Sequence, residues 1–236
     1  MNVILIPGFW WDGSLWRDIE PELRAAGHSV RTLTLPGLRD GDDPSAVGMR
    51  ASIDAVIAAI DDLDAADGPA VLIGHSGGGP IAWGAADARA DAVARVVFVD
   101  AFPLPEGANI TDEWEPVDGT LPLPPWDEFP PSDLTDLTDE LRAEFRERAR
   151  PEPVRVARDA MRYAGDAAVR HAIPATLIAT GFPAADIREA IAGGHPFMTE
   201  LRELTALDLV DLPTGHWPQL TKPAEFTALL VEILAR

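Results

Sequence analysis

Two residues in this sequence have the type and setting for covalent chemistry. One is Ser76, in Gly74-His75-Ser76-Gly77-Gly78; the other is His216, in Thr214-Gly215-His216 near the far end of the chain. A serine hydroxyl is a weak nucleophile until a neighbouring base takes its proton, and an imidazole is well matched to that task near neutral pH. Val71-Leu72-Ile73 precedes the serine segment and Ile81-Ala82-Trp83 follows it, so the order reads strand, sharp turn, helix. Such a turn brings two stretches of backbone together and leaves almost no room for side chains at Gly74 and Gly78. It would lift the Ser76 hydroxyl to the carboxyl edge of a sheet, above a helix N-terminus that favours developing negative charge. A phosphate-cradling loop would need G-x-x-x-x-G-K-[ST] or G-x-G-x-x-G, and this segment has neither.

A hydroxyl that attacks an acyl carbon also needs donors for the oxyanion. Ile4-Leu5-Ile6-Pro7-Gly8-Phe9-Trp10-Trp11 reads as a first strand followed by a glycine turn. The backbone amides of Phe9 and Gly77 are the candidate pair, and losing one such donor costs on the order of 3 kcal/mol. Consecutive aromatics at 9–11 cannot all face one core, so Trp10 and Trp11, with Trp126 and Trp217, are candidate substrate-binding residues. His216 follows the last strand and precedes the last helix, which suits a base delivered from a loop. The other histidines (His28, His75, His171 and His195) read as structural, with His75 packed behind Ser76.

The elements that must position these residues alternate between short apolar runs and helical patterns, which argues for a mostly parallel sheet covered on both faces. The strand candidates are Val3–Ile6, Ser29–Leu35, Ala70–Gly74, Arg95–Asp100, Ala175–Thr180 and Leu207–Leu212. Helices are expected at Ser14–Ala26, with Gly27 as its stop; after the Asp43-Pro44 cap, burying Met49, Ile53, Val56, Ile57 and Ile60; after Ser76; and after Thr221. Residues 103–170 break the alternation. Their first part is rich in proline and acids around Trp114 and Trp126, and their second part reads as helices over Asp139–Ala149 and Glu152–Tyr163. We expect a core of residues 1–102 and 171–236 carrying a lid, or cap, at 103–170.

With 236 residues the chain is long enough for one large domain and short for two. It has no cysteine, which excludes disulfides, thiolate metal sites and cysteine nucleophiles. Its net charge of −20 disfavours nucleic acid and anionic membranes as partners and leaves a small-molecule substrate. The start lacks a basic, long-apolar secretory pattern, and no apolar run reaches the roughly 20 residues that span a bilayer. The expectation is a cytoplasmic monomer or homodimer.

The loop Pro7–Gly13, the segment Gly74–Gly78, Val97-Phe98-Val99-Asp100-Ala101 and Gly215-His216 together resemble the α/β-hydrolase superfamily, in particular its small lid-bearing, esterase-like members. The resemblance implies an α/β-hydrolase fold with an eight-stranded parallel sheet, of which six strands are legible, and the chain order nucleophile, acid, histidine. It also implies no metal and no organic cofactor. Many members begin the oxyanion loop with His-Gly where this chain has Pro7-Gly8, a change that keeps the amides and removes a side-chain hydrogen bond. In most relatives the acid follows the strand ending here at Thr180, as Gly-x-x-Asp, but this chain has Gly181-Phe182-Pro183-Ala184. Two acids remain: Asp100, at the end of the strand after the nucleophile helix, and Asp186, whose plain role is to start a helix. The activity implied is hydrolysis of a carboxylic ester or lactone of a mostly apolar small molecule through an acyl-enzyme. Lyase or C–C bond hydrolase chemistry on the same scaffold, or a non-catalytic ligand-binding relative, are the alternatives.

Overall fold

Strands buried on both faces must be apolar throughout, and the central runs of this chain are. In the computed structural model, which describes residues 1–64 and 68–236, eight strands form: β1 (Asn2–Ile6), β2 (Ser29–Thr32), β3 (Ala70–His75), β4 (Val93–Val99), β5 (Thr120–Leu121), β6 (Glu152–Pro153), β7 (Ala175–Ala179) and β8 (Leu207–Asp211). Six of them make one all-parallel sheet in the order β2-β1-β3-β4-β7-β8. Every residue of β1, β3 and β7 is buried, while the edge strands β2 and β8 are partly exposed. The parallel sheet therefore has six strands among the described residues rather than eight. The remaining two, β5 and β6, pair antiparallel in a separate small sheet.

The chain runs from β1 to β2 on one side and then crosses to β3 on the other. That reversal opens a crevice at the carboxyl ends of β1 and β3, the place where open α/β sheets bind ligands. The loops carrying Phe9 and Ser76 meet there.

Helices α1 (Glu20–Ala25), α2 (Met49–Asp61) and α3 (Gly78–Ala88) cover the first half of the sheet. The single helix expected over Ser14–Ala26 is a 3-10 turn at Gly13–Trp16 followed by α1. Pro21 is the reason, since it lacks an N–H and its ring clashes with the preceding turn, so it can only sit at a helix start. Gly27 does terminate α1, with φ at +91°. Asp43 caps only the 3-10 turn Pro44–Ala46, and α2 starts five residues on from Pro44 with Gly48 as its N-cap; its buried face is the one expected, Met49, Ile53, Val56, Ile57 and Ile60.

Residues between β4 and β7 hold β5, β6, α4 (Asp139–Arg148) and α5 (Val154–Arg158). The helix expected over Glu152–Tyr163 is shorter, because Pro153 forces Glu152 into extended backbone that pairs with Leu121. Beyond Arg158 the chain pairs with Gly107 and Ala108 instead, Met161 N–H donating to Ala108 O at 2.7 Å. The segment is tied back to the core by a buried ionic cluster. Arg170, in α6 (Ala167–His171), donates to Asp87 of α3 and to Glu200 of α8 (Thr199–Arg202), each at 2.8 Å. Trp83 Nε1 also donates to Glu200, and Asp87 accepts the amides of Ala164 and Gly165. No charge in the cluster is left unpaired, which is the condition for burying one. The helix α7 (Ala184–Ala192) follows β7, and α9 (Pro218–Thr221) and α10 (Pro223–Leu234) close the chain, α10 burying Phe226, Leu230 and Ile233.

Candidate active site

The turn after β3 is as tight as its glycines suggest. A Cβ on Gly74 would stand 2.5 Å from Gly78 O, and one on Gly78 would stand 2.4 Å from Pro7 O. Ser76 is held at φ +49°, a conformation most side chains avoid. Asp100 (φ +46°) and Trp10 (φ +65°) are in the same region of backbone space, so three of the strained residues of this chain converge on one sheet edge. Strain of this kind persists only where surrounding structure enforces it, and it gathers at functional sites.

Three elements bring the polar groups together. Ser76 Oγ–H donates to His216 Nε2 at 2.8 Å, and His216 Nδ1–H donates to Asp100 Oδ2 at 2.6 Å. The second Asp100 oxygen accepts the Thr180 amide at 3.3 Å, so the end of β7 fixes the carboxylate that the end of β4 supplies. The imidazole and carboxylate are 19% and 17% exposed, shielded but reachable. Burial works to raise the Asp100 carboxyl, but the hydrogen bond and charge of His216 outweigh it and hold it below 3.8. Burial likewise works against a charged His216, but Asp100 outweighs it and holds the imidazole above 6.5. Both shifts favour the same charged pair.

Asp186 is not in this line. It lies exposed in the first turn of α7, whose leading amide, that of Ala184, is accepted by Asp211 at 2.6 Å. The edge in front of Gly181 is filled by Ser132 and Asp133 of the insertion, each 3.6 Å from where a Gly181 Cβ would stand.

The candidate oxyanion donors are neighbours. A Cβ on Gly8 would lie 2.8 Å from Ser76 Cβ, and one on Gly77 would lie 2.5 Å from the Phe9 ring. Neither the Phe9 nor the Gly77 amide donates to any described residue. Two unpaired N–H groups beside one hydroxyl are what an oxyanion requires.

The tryptophans divide. Trp11 and Trp217 are each 1% exposed and pack against the Phe145 ring, Trp11 tilted at 4.7 Å and Trp217 edge-on at 5.0 Å, which makes them packing residues rather than an open wall; Trp217 also meets the His216 ring edge-on at 4.9 Å. Trp10 is 4% exposed and packs on Trp114 and Phe129, while Trp126 and Trp114 stay half-buried. The aromatic cluster thus runs unbroken from the loop at Phe9 and Trp10 through the segment between β4 and β7 to His216.

Some site features have no sequence signal. His75 does lie behind Ser76, fully buried, and its Nε2–H donates to the His216 carbonyl at 2.7 Å. Burial, aided by the nearby His216 charge, pushes its pKa down to about 3, so it stays a neutral donor that steadies the histidine loop. From the insertion, the Asp133 carbonyl accepts the His216 amide at 2.9 Å and Asp136 accepts the Thr214 hydroxyl at 3.0 Å. A carbonyl contact leaves no mark in the residue type, and Asp136 is one acid among many. Lys222, the single lysine, donates to Pro213 O at 2.7 Å and pairs with Asp136 at 3.6 Å.

Comparison with known proteins bears on the fold and the family. A carbendazim hydrolyzing esterase from Nocardioides sp. (strain SG-4G) is 36% identical over 111 residues, a stretch spanning 46% of this chain and 45% of that enzyme, so the match covers less than half of the relative's length. An extracellular alpha/beta-hydrolase from a Paenibacillus species superposes with a TM-score of 0.74 at 22% identity over 98% of both chains. A methylesterase from Arabidopsis superposes with a TM-score of 0.72 at 16% identity, over 100% of this chain and 99% of that one. The profile of the alpha/beta hydrolase family matches residues 3–229. With nearly its whole length matched, the chain belongs to the alpha/beta hydrolase family.

Proposed function

We propose that this protein hydrolyses a carboxylic ester, open-chain or lactone, of a small and mostly apolar molecule through an acyl-enzyme on Ser76. The observation that carries the reading is the unbroken Ser76–His216–Asp100 line of hydrogen bonds, at 2.8 and 2.6 Å. His216 Nε2 takes the Ser76 proton as Oγ attacks the acyl carbon. The Phe9 and Gly77 amides hold the oxyanion, and the imidazolium, stabilised by Asp100, returns its proton to the departing alkoxide. Water activated by the same imidazole then releases the acid. Residues 103–170 act as a lid whose half-buried Trp114 and Trp126 favour an apolar substrate. The partial relative named as an esterase supports the reaction class. A lyase would call for a cation above the serine, and the one lysine is engaged elsewhere, at Pro213 and Asp136.

A fluorophosphonate probe followed by intact-mass measurement tests this reading. One adduct should form on the wild-type protein and none on Ser76→Ala; no adduct on the wild type would favour a non-catalytic binder. The pH–rate profile gives a second check. Only neutral His216 can accept the serine proton, so kcat/KM should rise with pH through an ionisation above 6.5, the direction in which Asp100 moves the imidazole. A midpoint below 6.5 would show that the Asp100 contact is not made in solution.

A further inference from the structure

The loop 213–216, between β8 and α9, delivers His216, and a base on a loop keeps its aim only where other elements hold it. The insertion supplies that hold. Its segment 133–136 lies directly on Gly215, where a Cβ would stand 2.4 Å from both Asp133 O and Thr135 O. The Asp133 carbonyl accepts the His216 amide at 2.9 Å.

Asp136 adds a side-chain grip. Its Oδ2 accepts the Thr214 hydroxyl at 3.0 Å and stands 3.6 Å from Lys222 Nζ, which donates to Pro213 O at 2.7 Å. Thr214 is 3% exposed, and its hydroxyl oxygen also stands 2.8 Å from Thr221 Oγ1. Asp136 is therefore tied to the histidine loop at Thr214 directly and at Pro213 through Lys222. Its backbone is at φ +62°, so it joins Trp10, Ser76 and Asp100 in the left-handed region, where strain persists only if surrounding structure enforces it.

We propose that Asp136 is a positioning residue for the general base: by gripping Thr214 and Lys222, its carboxylate fixes the loop that aims His216 Nε2 at Ser76 Oγ. This rests on the acyl-enzyme reading above. The insertion then does more than cover the site, because one of its residues holds the base in line. Asparagine keeps an oxygen for the Thr214 hydroxyl and settles readily at a positive φ. It gives up only the attraction to Lys222, a partly exposed pair at 3.6 Å that contributes little.

The test compares Asp136→Asn, Asp136→Ala, Thr214→Val and the double variant Asp136→Ala/Thr214→Val with the wild type, on a p-nitrophenyl ester and on the fluorophosphonate probe. Asp136→Asn should retain kcat. Asp136→Ala and Thr214→Val should each lose about ten-fold or more in kcat with KM unchanged, because a displaced base weakens the transition state and not substrate binding. The double variant should be no slower than the slower single one, since both substitutions remove the same contact. Labelling of Ser76 should slow by similar factors, since it too needs the serine proton taken. Wild-type kcat in Asp136→Ala overturns the proposal, as does Asp136→Asn as slow as Asp136→Ala, or losses that multiply in the double variant. If Asp136→Ala does not fold, Thr214→Val is set against Thr214→Ser, which keeps the hydroxyl; valine should be slow and serine at the wild-type rate, and equal rates overturn the proposal. A wild-type protein that is not labelled at Ser76 removes the acyl-enzyme reading and this proposal together, whereas labelling untouched by the variants removes only the positioning role.

Discussion

Asp100→Asn lowers turnover of a p-nitrophenyl ester by about 10⁴-fold, while Asp186→Asn leaves it unchanged. The geometry explains the size of the first effect. Asp100 has two jobs at once: one oxygen accepts His216 Nδ1–H at 2.6 Å and the other accepts the Thr180 amide at 3.3 Å. An asparagine must keep its single oxygen toward the Thr180 N–H, a donor fixed in the backbone. Its amide nitrogen then faces His216 Nδ1 and donates to it. That contact drives the imidazole proton onto Nε2, the atom opposite Ser76, and a protonated Nε2 cannot take the serine proton. The loss appears in kcat, with the side chains still in place. Asp186 touches neither His216 nor Ser76, and its substitution alters only the exposed start of α7. Steady-state kinetics on the two variants, with circular dichroism as the folding control, checks the result. Equal damage from both substitutions, or the reverse order, would remove Asp100 from the assigned role.

Why the acid stayed open in the sequence while the serine and histidine did not is a matter of what constrains each. Ser76 sits in a turn that forbids side chains at its neighbours, and that steric demand writes itself into the sequence as glycines. His216 follows the last strand of the sheet, which fixes its edge. An acid needs only to reach Nδ1, and either β4 or β7 ends within reach, so strand order alone does not choose between Asp100 and Asp186. The choice is made by Thr180 and by the insertion, which fills the edge at Gly181 with Ser132 and Asp133. Those are contacts between distant segments, and no local pattern encodes them.

The same division governs the fold. All six strands of the sheet are legible because burial on both faces demands apolar runs. The boundaries missed were set by single prolines: Pro21 splits the expected first helix, and Pro153 turns the start of the expected insertion helix into β6. The roles of Trp11 and Trp217 were hidden for another reason. A tryptophan beside a catalytic loop can face a cavity or pack a wall, and here the partner ring, Phe145, arrives from an insertion helix. Side-chain type gives the size of the group and not the identity of what packs against it.

The stability difference between Glu152→Gln and wild type grows in favour of the variant by roughly 1 kcal/mol for each pH unit between pH 5 and pH 7 and levels off above that. The sign follows from proton counting. Unfolded, the Glu152 carboxyl ionises near 4.5; folded, burial pushes it up to about 8. Between those values the folded wild type holds a proton that the unfolded chain has released, so its stability falls as pH rises. Below 4.5 both states are protonated and above 8 both are ionised, and the contribution is flat. Glutamine cannot titrate, so the variant escapes the fall. Other groups titrate in the same window. His216 is held above 6.5, so its share of stability is lost as pH rises through its folded value, while His28 and His75 are held below 6.5 and act in the opposite sense. They are common to both proteins and cancel in the difference. Chemical denaturation at pH 5, 6.5 and 8 measures the effect. Two parallel curves across that range would mean that Glu152 meets water or a cation in solution.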